Sequence, residues 1–421
     1  MADIVPPDDG KRACNTEGDT SGEVAEKRHL HSPKPAEPRR RPRSTEGRRR
    51  NPASKHQANG KHPAASKHQP ASKHQPAGRK PMRHGRQAYA ALDLGTNNCR
   101  LLIARPSGQD FTVIDAFSRV VRLGEGLALS GKLSDQAMDR ALGALHVCAE
   151  KLRRRNVFLA RSVATEACRR AANGERFIER VREETGIALD IISAQEEARL
   201  AVLGCHVLLE AGEGPALIFD IGGGSTELIL VGPGEGAVPR ILDWQSVPWG
   251  VVSLTDTVMR EGQSVADEAS RLALYAAMRQ TVDDSFAPFA ERIVDAAQEE
   301  DIRLLGTSGT VTTLASLHLE LPHYDRRAVD GLIVPSASMR AISARLSRLS
   351  LEERGRVPCI GHDRAELVVA GCAILESILD LWPADRLGVA DRGIREGILR
   401  SLMAADFSGP APGPASHGGA R

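Results

Sequence analysis

The stretch PALIFDIGGGSTELIL, residues 215–230, decides the reading of this chain. An apolar run ends in Asp220, three glycines (Gly222, Gly223, Gly224) and the hydroxyl residues Ser225 and Thr226 follow, and a second apolar run leaves. Apolar runs flanking turn residues predict two strands of a hairpin. A tight hairpin needs positive φ at one or two positions, which one glycine can serve. Three in a row cost the most backbone entropy of any residue type, which asks for something that must approach the main chain. N–H groups freed from the ladder form a concave nest for phosphate oxygens, and Ser225 and Thr226 add hydroxyl donors. No GxxxxGK[ST] motif occurs, so the turn is not the nucleotide-binding P-loop.

A second unit of the same kind lies upstream. AYAALDLGTNNCRLLIAR, residues 88–105, again ends a strand in an aspartate, Asp93, turns through Gly95, Thr96 and Asn97, and leaves on another apolar strand. Asp93 and Asp220 stand 127 positions apart, about one domain. The echo predicts a duplicated fold with two facing turns. Between them, SDQAMDRALGALHVCAEKLRRR reads as a helix with Ser134 as N-cap, SVATEAC as a strand and a turn, GERFIERVREETG as a helix ending at Gly186, and ALDIISA as a strand. Strands alternating with helices give an α/β class, with domains expected at 87–212 and 213–405 and a disordered tail at 406–421.

Composition separates the chain into unlike parts. Residues 1–86 hold 20 Lys and Arg against 9 Asp and Glu, a formal +11 that leaves −9 on the remainder of a chain totalling +2. That segment is rich in Pro, Arg, Lys, His, Ser and Gln, with Lys-His pairs at 55–56, 61–62, 67–68 and 73–74, and predicts a disordered basic tail: a solvated linker, or a tether for polyanions. The seven cysteines form no CxxC pair, which fits a reduced, cytoplasmic compartment. No stretch approaches the roughly 18 apolar residues of a membrane span, so no membrane partner is expected.

Several residues stand out as chemistry. Asp93, Asp220 and Glu227 are acids beside the nest. Carboxylates repel phosphates, so either a cation, with magnesium the best fit, lies between them or each acid caps its own turn. SAQEEARL places Ser193 and Glu196 at the spacing of a capping box, in which Glu196 reaches back to the cap amide. Glu197 lies about 100° further round that helix. It is either a general base pointing into a cleft or an ordinary surface acid. LLGTSGTVTTLASL, residues 304–317, presents Ser308, Gly309 and Thr310 at a helix N-terminus, where backbone amides and the dipole favour anions.

With ALDLGTNNCRLLIAR, RLGEGL, VATEACRRAAN, IISAQEEARL, FDIGGGSTELIL, GTSGT and VADRGIREGIL in order and register, residues 88 to about 403 resemble the exopolyphosphatase and guanosine pentaphosphate phosphohydrolase (Ppx/GppA) family. The resemblance implies two ribonuclease H-like domains of the actin, sugar kinase and heat-shock ATPase superfamily with a cleft between them. It implies hydrolysis of a terminal phosphoanhydride, on inorganic polyphosphate or on guanosine pentaphosphate, as in the stringent response. Carried over residue by residue, it makes Glu197 the catalytic acid of the EEAR motif, and Asp220 and Glu227 magnesium-site or water-positioning groups. Gly222 to Ser225 become the phosphate cradle, Gly95 to Asn97 and Ser308 to Thr310 the facing loops, and Arg122 and Arg169 contacts to the polyphosphate chain. Thr96 stands where many relatives have Ser and Ala194 where many have Gly, and the chain stops soon after DRGIREGILRSL, short of the helical extension on which larger members build a homodimer. An ATP-using protein of the same fold and a non-catalytic polyanion binder are the rival classes.

Overall fold

The computed structural model describes residues 87–408, apart from position 109 and residues 235–237, 260–264 and 298–301; the predicted basic tail and the last 13 positions lie outside the described residues. Two mixed sheets form the frame. The first has the order β3-β2-β1-β4-β5, built from β1 (Ala88–Leu94), β2 (Asn98–Ser107), β3 (Asp110–Val120), β4 (Val157–Ala164) and β5 (Asp190–Ile191). Helices α1 (Leu127–Ser130), α2 (Asp135–Arg154), α3 (Glu166–Arg170), α4 (Gly174–Thr185) and α5 (Ala194–Cys205) accompany it. The second has the order β10-β11-β9-β6-β7-β8, from β6 (Ala216–Ile221), β7 (Thr226–Gly232), β8 (Arg240–Val247), β9 (Arg303–Thr307), β10 (Ile333–Pro335) and β11 (Arg386–Ala390). Its helices are α6 (Val251–Val258), α7 (Glu268–Ala297), α8 (Ser308–His318), α9 (Arg326–Val329), α10 (Ser336–Arg348), α11 (Leu351–Arg356), α12 (His362–Ala365) and α13 (Val368–Leu381), and the chain then returns to the first sheet through α14 (Ile394–Ser408).

The duplication expected from the two Asp-turn units is visible strand by strand. In each sheet an antiparallel meander of three strands is followed by parallel strands added to the other side of the first: β4 and β5 beside β1, β9 and β11 beside β6. Asp93 and Asp220 occupy equivalent places near the C-terminal ends of the two central strands. Such ends are where open α/β sheets build sites.

Apolar side chains on the faces of these strands dictate the layers. Leu92, Leu101 and Ile103 of the first sheet pack with Ala141, Leu145 and Phe177 of α2 and α4. Its opposite face, with Tyr89, Ala91 and Leu102, meets Leu200 of α5 and Ile398, Leu399 and Met403 of α14. One face of the second sheet packs on α7, α8 and α13 through Phe219, Phe286, Val311 and Ile374. The other meets Ala198, Ala201, Val202 and Cys205 of α5. Helix α5 is thus clamped between the two sheets, and α14, from the end of the described chain, completes the first one. The predicted break at 405 falls inside α14.

Local expectations divide. Ser134 caps α2 by accepting from the Ala137 N–H at 3.2 Å, and Gly186 ends α4 at φ 74°. SVATEAC is a strand followed by a helix rather than a turn, because Glu166 opens α3, and ALDIISA yields only the two residues of β5. Among the described residues no helix is long and apolar enough to cross a membrane.

Candidate active site

The question raised by three consecutive glycines has a geometric answer. None of them has a positive φ, so the turn does not need glycine for its own conformation. Their carbonyls are turned toward α6: Gly222 O accepts from Val251 N–H at 3.0 Å, Gly223 O from Val252 N–H at 2.8 Å, and Gly224 O from Ser253 Oγ at 2.9 Å. The N–H groups of Gly223 and Gly224 are left with no protein acceptor among the described residues. A side chain here would also collide with the facing turn. A Cβ on Gly224 would lie 2.5 Å from Thr96 Oγ1 and 3.0 Å from Glu166 Cγ, and one on Gly223 would lie 3.0 Å from Asn97 N. Glycine therefore both exposes donors and lets the two turns approach, the arrangement an oxyanion needs.

The turns line one cleft. Asp93, Gly95, Thr96, Glu197, Asp220, Gly222, Gly223, Gly224, Ser225, Glu227 and Ser308 all reach it, together with Arg100, Glu166, Asp391, Arg392 and Arg395. Asn97, Gly309 and Thr310 line an adjoining cavity instead, which shares Arg100, Gly222, Gly223 and Ser308 with the cleft. Arg122 reaches neither: it is partly exposed, 4.0 Å from Glu125, and its backbone N–H bonds Asn97 O. Arg169 lies behind the cleft wall, where its guanidinium donates to Ile192 O, Glu166 and Glu197. Among the described residues neither arginine, assigned to the polyphosphate chain by the resemblance, lines the cleft or the adjoining cavity.

The helix start SAQEEARL sorts its acids. Ser193 caps α5 by accepting from Glu196 N–H at 3.2 Å, but Glu196 does not return the bond. Its carboxylate is drawn off by Arg161 at 2.7 Å and by a two-nitrogen contact from Arg199, so only half of the expected capping box forms. Those contacts lower Glu196 from 4.5 to about 2, Arg199 contributing most. Glu197 is 6% exposed and lines the cleft. Its Oε2 accepts from Arg169 at 3.0 Å, and no protein donor bonds Oε1 among the described residues. Burial, and then the charge of Glu227, push its pKa well above the ordinary value.

The remaining acids share that environment. Glu227 stands opposite Asp220 in the β6–β7 register, accepts the Ser225 and Ser246 hydroxyls at 2.7 and 2.9 Å, and is raised to about 7 by burial and by Asp220. Ser225 thus commits its proton to Glu227 rather than offering it to a ligand. Burial raises Asp220 to about 6, opposed by Arg100 and increased by Asp93; a hydroxyl bond from Ser308 lowers it. Burial raises Asp93 too, opposed by Arg100 and Arg395. Neither aspartate bonds a backbone N–H of its own turn among the described residues, so turn capping does not occupy them. Ser308 itself has φ 79°, a left-handed conformation that costs a non-glycine residue energy and is concentrated at functional sites.

Sequence reasoning passed over the cleft's cations. Arg100 faces Asp93 across the β1–β2 ladder, and burial followed by the charge of Arg395 lowers its pKa. The charges of Asp93 and Asp391 oppose that shift, so Arg100 sits in a mixed field of acids and a second guanidinium. Arg100 was legible in principle, because the hairpin register pairs it with Asp93; Arg395 was not, since it arrives from the other end of the chain. The wall carrying it is braced by Arg326 and Gly393 N–H, which bond Glu396, and by Thr307 Oγ1, which donates to Arg392 O.

The model of the Ppx/GppA phosphatase family matches residues 102–405. A curated relative named exopolyphosphatase 2, from Mycobacterium tuberculosis, is 29% identical over 330 residues, covering 74% of this chain and 98% of its own. Among solved structures, the Aquifex aeolicus member of that family is 27% identical with a TM-score of 0.60, over 76% of this chain and 98% of its own. An exopolyphosphatase from Cytophaga hutchinsonii is 25% identical with a TM-score of 0.65, over the same shares of the two chains.

Proposed function

Because the chain belongs to the Ppx/GppA phosphatase family, and so is a phosphoanhydride hydrolase, we propose that it removes the terminal phosphoryl group of inorganic polyphosphate and releases orthophosphate. The observation that carries this reading is the position of Glu197: buried, lining the same cleft as the unbonded N–H groups of Gly223 and Gly224, and tethered by one oxygen only. The name of the mycobacterial relative supports polyphosphate as substrate.

The terminal phosphoryl oxygens accept from the Gly223 and Gly224 N–H groups, with Arg100 and Arg395 drawing off charge. Arg169 holds Glu197 through Oε2, and Oε1 takes a proton from a water. The oxygen of that water bonds to the terminal phosphorus as the bridging P–O bond breaks; the bond's electron pair leaves with the shortened chain. Phosphoryl transfer depends chiefly on such positioning and charge stabilisation. Its raised pKa makes Glu197 a stronger base than an ordinary glutamate.

Among the described residues the cleft is lined by six carboxyl groups, two of them (Glu166 and Glu197) paired with Arg169 behind the wall, and by three guanidiniums, a surplus of acids that a cation would offset. Among the described residues no three Asp, Glu, His or Cys side chains group closely enough to hold a metal alone. The donor set is oxygen only, and that combination fits magnesium, which takes one or two carboxylates and completes its shell with phosphate oxygens and water. Asp93 and Asp220, which line the cleft with Glu227, would hold it, and bound there it would neutralise charge on the phosphate oxygens. The free state of all six described cysteines supports a reducing, cytoplasmic setting for this activity.

A second reading, release of the 5′ γ-phosphate of guanosine pentaphosphate, is favoured by the adjoining cavity, whose walls include Ile221, Val251, Leu367 and Val368. Apolar walls suit a nucleoside better than a bare phosphate chain. Turnover on polyphosphates of defined length, set beside turnover on guanosine pentaphosphate, tests the reading. Higher kcat/KM on polyphosphate supports it, and activity confined to the nucleotide replaces it with the second.

A further inference from the structure

Glu166 has no role in the reaction as described, yet it is buried and bonded twice to one guanidinium. It is 9% exposed, lines the cleft, and lies close enough to the glycine nest that a Cβ on Gly224 would meet its Cγ at 3.0 Å. A bare carboxylate there would repel the phosphate the nest receives. Its charge is instead spent chiefly on Arg169, with Arg170 Nε 3.7 Å from Oε1: Oε2 accepts from Arg169 Nε at 3.1 Å and from Nη2 at 2.5 Å. The other edge of the same guanidinium donates through Nη1 to Ile192 O at 2.8 Å and to Glu197 Oε2 at 3.0 Å. Four of the five N–H directions of Arg169 are therefore taken by protein acceptors, and a planar fork held on two sides has little freedom left to rotate.

We infer that Glu166 is a positioning residue: by clamping Arg169 it fixes which oxygen of Glu197 is tethered and which faces the water. The inference rests on Glu197 being the base of the proposed hydrolysis. It also accounts for Arg169 lying outside the cleft. With two carboxylates on one guanidinium, the group is neutralised toward Glu197 as well as oriented, so Glu197 keeps its basicity instead of being pinned as a salt-bridged spectator. The ionisable groups acting on Glu197 are Arg169 with Glu166 from α3, Glu227 from β7 and Asp93 from β1.

The test uses Glu166→Gln and Glu166→Ala in the full chain. Glu166→Gln keeps an acceptor for Arg169 but removes the charge; Glu166→Ala removes both. The expected result is a fall in kcat of about tenfold for the amide and about a hundredfold for alanine, within the range a positioned base controls, with KM within about twofold. The acid limb of the kcat profile moves to lower pH in Glu166→Gln, because Arg169 then acts on Glu197 with less of its charge offset. Unchanged kcat and an unmoved acid limb in both variants overturn the inference while leaving the hydrolysis intact. A loss confined to KM also overturns it, by making Glu166 a substrate contact. A second measurement needs no turnover: a crystal structure of Glu166→Ala should show the Arg169 guanidinium off Glu197 Oε2. Retention of that bond near 3.0 Å contradicts the clamp whatever the substrate proves to be.

Discussion

Two neighbouring glutamates carry most of what a single residue can say here. Glu196 and Glu197 are chemically alike and one position apart, yet one is depressed by arginines at the surface and the other raised by burial in the cleft. Pairs pushed apart in this way identify acid–base roles. The sequence singled out Glu197 by giving Glu196 another task, and that task proved to be ion pairing with Arg161 and Arg199 rather than capping. The contact with Arg161 comes from a strand 35 positions away, beyond the reach of local spacing. Glu196→Gln should leave turnover intact and lower stability. Its folded pKa is depressed, so its contribution is present above the ordinary value of 4.5 and is lost as pH falls toward about 2. Melting temperatures of wild type and variant should accordingly differ near neutrality and converge toward acid. For Glu197 the sign is opposite: the acid limb of kcat should lie above the ordinary glutamate value, and a limb at or below 4.5 in a pH–rate profile would count against its role.

Among the elements, α5 decides whether the site exists. It presents Leu200 to the first sheet and Ala198, Ala201, Val202 and Cys205 to the second, so its first turn is fixed at the cleft by apolar contacts on both sides. Close approach to α14 completes the clamp. A Cβ on Gly397 would collide with the Leu200 carbonyl oxygen, and one on Gly204 with that of Gly393. Because the obstacle is backbone, no rotamer relieves it. Gly397→Ala should cost about 1–3 kcal/mol in chemical denaturation, the range for overpacking, and should lower kcat by moving Glu197. An undiminished midpoint would show that α14 can shift freely. The helical spacing of α2 and the end of α4 at Gly186 were readable because both are local signals. The packing of α14 on the first sheet was not, since nothing within residues 394–408 names a partner some 300 positions earlier. The two-residue β5 was overread for a similar reason: apolar content predicts burial, while ladder length depends on the neighbour.

Across the whole molecule, the legible feature was the repeat. Two Asp-turn units 127 positions apart foretold two sheets sharing one core pattern, a three-stranded meander with parallel strands beside its first strand, to which the second sheet adds β10. What one dimension hid was the balance of charge in the cleft, where Arg100, Arg392 and Arg395 meet acids from both halves. That balance also bears on the basic segment 1–86. Among the described residues every group lining the cleft lies between Asp93 and Arg395, and deletion of the segment should leave kcat unchanged in steady-state assays. A loss of turnover that deepens steeply with added salt would instead make it a polyanion tether.

The central claim is that water, activated by Glu197, attacks the terminal phosphorus. It is tested most directly by following orthophosphate release from polyphosphate in ¹⁸O-enriched water, for wild type and Glu197→Gln. The account predicts one labelled oxygen in each released orthophosphate and a release rate about 10² to 10⁴ lower in the variant, or about 3–5 kcal/mol of transition-state stabilisation. Label found in the shortened chain, or a variant within tenfold of wild type, would contradict it.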